Sequence, residues 1–199
     1  SGLNSDQLAA IETRDLVVIT TTNLQALATN QIAALLNDRI AALTTAQVDG
    51  LSTTNIAGLR TAQVAALPTQ DVVALRTTNV AALSTAQIVA MTTEQASALL
   101  TQQTVALNTS QVRAMETADF AALATSSIAA LATYTTAVLT TAQVVALTTA
   151  QAQAITTQQA VALATAQIVA LETADLGALS TNTVAALQTS QLVAIVTRQ

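Results

Sequence analysis

The sequence contains no cysteine, no histidine, no lysine and no tryptophan. Without cysteine it has no disulfides, no thiolate metal ligands and no thiol nucleophile. Without histidine it has no His-dependent catalytic triad and no imidazole metal site. Lacking lysine, it offers neither a Schiff base nor a P-loop. Pro68 is the single proline, Gly2, Gly50, Gly58 and Gly177 are the only glycines, and Phe120 and Tyr134 are the only aromatic residues. No Gly- or Pro-rich linker therefore divides the chain, and no Gly-rich loop is present to cradle a phosphate. The six cations are all arginines (Arg14, Arg39, Arg60, Arg76, Arg113, Arg198), and they are scattered in a chain of net charge −5. A nucleic-acid partner needs clustered cations to displace phosphate counterions, so none is expected. A membrane-spanning helix needs about 20 nearly continuous apolar residues. Here a Thr, Ser or Asn interrupts every eight, so no membrane insertion is expected. The opening residues also lack the basic and apolar regions of a signal peptide.

What the chain has instead is a period. Every eighth residue from Leu3 to Ile195 is Leu, Ile or Met, 25 hits without a slip of register, the exceptions to Leu being Ile11, Ile19, Ile155, Ile195, Met91 and Met115. A fixed period marks a repeat architecture in which stacked copies share one core. Let that aliphatic residue be position 8, so that Thr140-Thr141-Ala142-Gln143-Val144-Val145-Ala146-Leu147 is one octad. Position 2 is Thr in 23 of 25 copies, with Ser5 and Asn37 as the exceptions. Position 4 is Gln in 13 of 24, position 5 is aliphatic or Phe in 19 of 24, and position 7 is Ala except at Gly2, Val18, Gly50, Gly58 and Val138.

Thr, Ser and Asn share a short side-chain oxygen and are preferred helix N-caps, so position 2 is expected to start a helix as its cap. In 11 copies position 1 is also Thr, Ser or Asn, with a polar position 4 three residues on, a pattern like a capping box that would place the cap one residue earlier. Positions 5 and 8 fall on one helical face. Position 7 is small, as though another backbone passes close by, and positions 1, 3 and 6 vary as solvent-facing positions do. One continuous helix fails on geometry, because eight residues turn about 800° and the Leu stripe drifts about 80° each octad. A β-solenoid is the alternative, since Thr and Val are strand formers. Against it stand the abundant Ala, the missing strict alternation and the missing turn clusters. The expected fold is thus all-α: a rod-like solenoid of very short helices, one per octad, running continuously over 1–199 as a piece of a longer protein. Such helices are too short to stand alone, so neighbours must stabilise them.

Position 5 is small or polar at Ala96, Thr104, Thr136, Ala152 and Ala160, and residues 96–160 are expected to be the softest stretch of core. The position-4 glutamines would form either a side-chain ladder along a solenoid edge or a solvated surface. Three carboxylate pairs lie three residues apart: Glu12 with Asp15, Glu116 with Asp119, and Glu172 with Asp175. They admit a weak calcium site or an acid–base pair. The expectation is a solvated helix N-terminus where negative charge suits the dipole. Calcium sites converge six to eight oxygens, more than a pair supplies. No catalytic, cofactor-binding or metal-binding residue is assigned, and no cofactor is expected.

The copies Leu139-Thr140-Thr141-Ala142-Gln143-Val144-Val145-Ala146-Leu147 and Leu83-Ser84-Thr85-Ala86-Gln87-Ile88-Val89-Ala90-Met91 resemble the octapeptide arrays of very large bacterial surface proteins of the haem-utilisation or adhesion type. That resemblance implies a non-catalytic stalk or spacer at the cell surface or outside the cell, whose partners are neighbouring domains of the same polypeptide. The haem label gains nothing from this segment, whose only Tyr and Met are Tyr134, Met91 and Met115. The octad is also locally similar to the opening helix of transcription-activator-like effector repeats. Those repeats are much longer and carry base-reading loops that are missing here, so DNA binding is not implied. A second class of function remains open, a binding module that uses one solenoid face for a protein, a glycan or an ice surface.

Overall fold

The computed structural model describes residues 4–197, so Gly2, Leu3 and Arg198 of the pattern above lie outside the described residues. Each octad within that range forms one helix, from α1 (Ser5–Ala9) to α24 (Thr189–Thr197), and there is no strand among the described residues. The helices before α24 are four to six residues long. The fold is an α-solenoid of very short helices, as the octad predicts.

The residues divide into two compact units, Ser1–Leu99 and Leu100–Gln199. Within each unit a helix packs on the helix three octads away. In the first unit α6 (Thr45–Asp49) packs on α9 (Thr69–Ala74), and α9 on α12 (Thr93–Ala98). In the second, α16 (Thr125–Ala130) packs on α19 (Thr149–Ala154), and α19 on α22 (Thr173–Ala178).

The octad explains how a helix can end so soon and restart. Its C-terminal amide at position 8 bonds the carbonyl of position 5, as Leu67 N–H does to Val64 at 3.1 Å and Leu147 N–H to Val144 at 3.3 Å. That tight last turn replaces the glycine cap at which many helices stop. Position 1 is then extended, with φ −73° and ψ 154° at Thr44, and the next helix begins. No described residue, glycine included, has a positive φ. A chain with four glycines can therefore make all these reversals.

Positions 5 and 8 form the core, with Ile32, Leu35, Ile56, Phe120 and Leu171 each wholly buried. Positions 1, 3 and 6 are exposed or half-buried, as their variability predicts. The small residue at position 7 also has its reason. A Cβ built on Gly50 would stand 2.7 Å from Cγ2 of Thr21, and one on Gly58 would stand 2.8 Å from Cα of Thr29. Position 7 thus lies against the position-2 threonine three octads earlier, and the second backbone inferred from the conserved small size is that one.

At two positions the structure decides between the alternatives the sequence offers. The N-cap is position 1, not position 2. In all 11 octads with Asn, Ser or Thr at position 1, that side chain accepts from the backbone N–H of position 4. The near-invariant threonine is the first helical residue, on an exposed or half-buried site. The position-4 glutamines, for their part, are not solvated surface from Gln47 onward; they are core.

Candidate functional site: the buried position-four column

A glutamine at position 4 has a carbonyl and an amide at the end of one flexible arm, and the solenoid uses both. Oε1 of Gln87 accepts from the Ser84 backbone N–H at 2.7 Å, while its Nε2 donates to the carbonyls of Leu59 at 2.7 Å and Ile56 at 2.8 Å. Ile56 and Leu59 are positions 5 and 8 of an octad one solenoid turn back. The Ile56 carbonyl already accepts from Leu59 N–H at 3.1 Å, whereas the Leu59 carbonyl lies past the last helical bond and the Ser84 N–H before the first, groups a helix leaves unpaired by itself. One side chain therefore joins the start of one helix to the end of another. The same rung recurs in the second unit, where Gln143 donates to Met115 at 2.9 Å and Val112 at 2.7 Å, and Gln159 to Leu131 and Ile128 at 2.8 Å each.

The offset to the position-8 carbonyl is 28 residues in each of these rungs. Asparagine makes the shorter version, with Asn55 donating to Leu27 at 2.8 Å and Asn79 to Leu51 at 3.0 Å. Arg39 also occupies the position and gives Nε to Ile11 at 2.7 Å. In these octads position 4 supplies a nitrogen donor that reaches a carbonyl. Gln, Asn and Arg share a side-chain N–H and fill 17 of the 24 position-4 sites, but Asp, Ser and Thr at the other seven mask that signal in the sequence.

The carboxylate pairs divide between environments. Glu12 and Asp15 are exposed and share Arg14, at 2.9 Å and 3.8 Å. Glu116 and Glu172 are exposed, but Asp119 and Asp175 are buried, only 3 % exposed each, which corrects the expectation of a fully solvated pair. Asp71 is buried as well, only 1 % exposed, and neither of its carboxylate oxygens has a hydrogen-bond partner. Burial holds its carboxyl above the ordinary aspartate range. Among the described residues no group of three or more His, Cys, Asp or Glu comes together.

Arg76 pairs with Asp49 at 3.1 Å, Arg39 with Asp38, and Arg60 donates to the Leu35 carbonyl at 3.0 Å. A family model described as the ALTTAQ repeat matches residues 8–45, 40–69, 64–101, 112–149 and 168–199, together most of the chain. The chain belongs to the ALTTAQ repeat family. No curated protein matches it.

The six letters of that name occur as Ala42-Leu43-Thr44-Thr45-Ala46-Gln47 and Ala146-Leu147-Thr148-Thr149-Ala150-Gln151. In the ALTTAQ structure they are the parts of one joint. The first Ala is the close-packed position 7, and Leu is the buried position 8. The first Thr is the N-cap and the second opens the helix. The second Ala faces solvent, and Gln forms the rung.

Proposed function

We propose that this ALTTAQ array is a non-catalytic structural module, a stalk or spacer that holds neighbouring domains of a bacterial surface or secreted protein apart. The observation that carries the reading is the use made of the polar core. The buried glutamines, the most promising side chains for binding or chemistry, are spent on backbone groups of adjacent turns. What such a column supplies is repeated mechanical connection, and an added octad adds another rung. Among the described residues no helix is long and apolar enough to cross a membrane, in keeping with a module that does not insert into one. Fluorophores on domains fused before and after arrays of different octad number test the reading. Separation that rises steadily with octad number supports it, and separation indifferent to octad number rejects it.

A second reading gains one observation. Because position 1 does the capping, the position-2 threonines present their side chains on exposed or half-buried sites, where Thr101 Oγ1 and Ser126 Oγ meet at 3.0 Å. A recurring hydroxyl surface suits a glycan or an ice lattice. Glycan-array binding or thermal hysteresis of the isolated chain would move the assignment to a binding module.

A further inference from the structure

In the first unit, eight consecutive octads place a position-4 side chain where it can reach back 28 residues, from Arg39 to Gln95. Seven of them close the rung with a nitrogen donor: Arg39, Gln47, Asn55, Gln63, Asn79, Gln87 and Gln95 reach Ile11, Ile19, Leu27, Leu35, Leu51, Leu59 and Leu67 over 2.6–3.0 Å. The eighth is Asp71, buried with both oxygens unpartnered. The rungs on either side, Gln63 to Leu35 and Asn79 to Leu51, identify the carbonyl due to Asp71 as that of Leu43.

Both halves of the rung are missing there. A carboxylate has no hydrogen to give a carbonyl. The N-cap of α9 is Pro68, which has no N–H for a carboxylate to accept, whereas Ser84 supplies one to Gln87. Asp119 and Asp175 follow Glu116 and Glu172, which keep that N–H. One proton on Asp71 creates the missing donor, an O–H in the place of Nδ2 of the isosteric Asn79.

We propose that Asp71 is a proton-operated latch: protonated, it donates to the Leu43 carbonyl and closes the open rung of that row; ionised, it leaves the rung open and loosens α9 against its neighbours.

The charged groups on the packed elements are few. α6 carries Asp49, which is paired with Arg76, and α12 carries Glu94 on an exposed site. Asp38 and Arg39, in the octad that contains Leu43, pair with each other. α9 bears no other charge. Desolvation alone holds Asp71 up, with no contribution from a neighbouring charge. Glu94 shifts the opposite way, lowered first by its own backbone N–H and then by the Thr92 hydroxyl. A raised folded value means the folded chain keeps a proton that the unfolded chain releases. The stabilisation is complete below the unfolded aspartate value of about 4 and is lost as pH rises through the folded value.

Thermal unfolding of the native chain and of Asp71→Asn, followed from neutral to acid pH, tests the latch. Asparagine is a permanent donor, so the variant should exceed the native Tm by about 2–4 °C at neutral pH. The gap should close as pH falls, since every other carboxylate titrates in both proteins. A gap that stays constant with pH, or a variant less stable throughout, overturns the proposal. Amide hydrogen exchange of the native chain is the second measurement. After correction for intrinsic rates, protection of α9 should rise in acid relative to its flanking helices α8 (Thr61–Ala65) and α10 (Thr77–Ala81). An unchanged ratio overturns the latch whether or not the variant folds.

Discussion

Gln87 illustrates how much one side chain carries in this protein. Replacing it with alanine would strand the Leu59 carbonyl, take one of two donors from the Ile56 carbonyl, release the Ser84 N–H and leave a void. Unpaired buried groups cost about 1–3 kcal/mol each, so Gln87→Ala is expected to lose about 3 kcal/mol or more. Gln87→Asn keeps one rung, as Asn79 does, and is expected to lose less than half as much. Urea unfolding of both variants checks the order. Thr136 presents the opposite case, a polar residue where the octad asks for an aliphatic one. It is buried, bonds back to the Ala132 carbonyl at 3.1 Å, and lines a small apolar cavity of about 10 Å³ with Ile128, Leu139 and Val144. Thr136→Val should stabilise the second unit by about 0.5–1 kcal/mol, because apolar surface replaces a hydroxyl that only competes for a helical carbonyl. A lower unfolding midpoint would contradict this. The break at Thr136 was readable from position 5, because it interrupts the aliphatic pattern without a neighbour to fill the space.

The helix as an element depends on its first two residues in different ways. Ser84 caps α11 (Thr85–Val89) by accepting from Gln87 N–H at 3.2 Å, while Thr85 opens the helix on an exposed site. Ser84→Ala should therefore cost about 1 kcal/mol, and Thr85→Ala less than about 0.5 kcal/mol. The reverse order in thermal melts would return the cap to position 2. Helix, octad period and small position 7 were all legible in the residue types. The assignment of the cap to position 2 was not sound, because Thr at the first helical residue and Thr at the N-cap leave the same letter in a sequence. Position 2 lies beside position 7 three octads later, as at Thr21 beside Gly50 and Thr29 beside Gly58. No local pattern reveals a neighbour that far along the chain.

Across a whole unit, the 28-residue rung sets the rule for insertion and deletion. Removing residues 84–91, one octad, leaves each position 4 facing a position 8, with Gln95 then opposite Leu59. Removing residues 84–87 sets Gln95 opposite Gln63, two side chains of the same kind, and carries the aliphatic face out of the core. The eight-residue deletion should cost roughly one repeat's share of stability, and the four-residue deletion should abolish cooperative unfolding of the first unit. Circular dichroism melts of the two variants distinguish the outcomes, and equal tolerance would count against stacked octads.

Repetition alone made the fold class readable. A helix starter, a core pair and a small residue recurring every eight positions admit few other solutions, since each copy must bury the same face in the same way. The partner of each glutamine was invisible, because the carbonyls it meets lie 28 and 31 residues back and every residue has a carbonyl. The burial of Asp71 was hidden for the same reason. A carboxylate in the first turn of a short helix reads as favourable and solvated until another turn of chain closes over it. How many octads separate stacked turns is settled by packing between residues remote in the chain, and that count alone makes an open edge into a core.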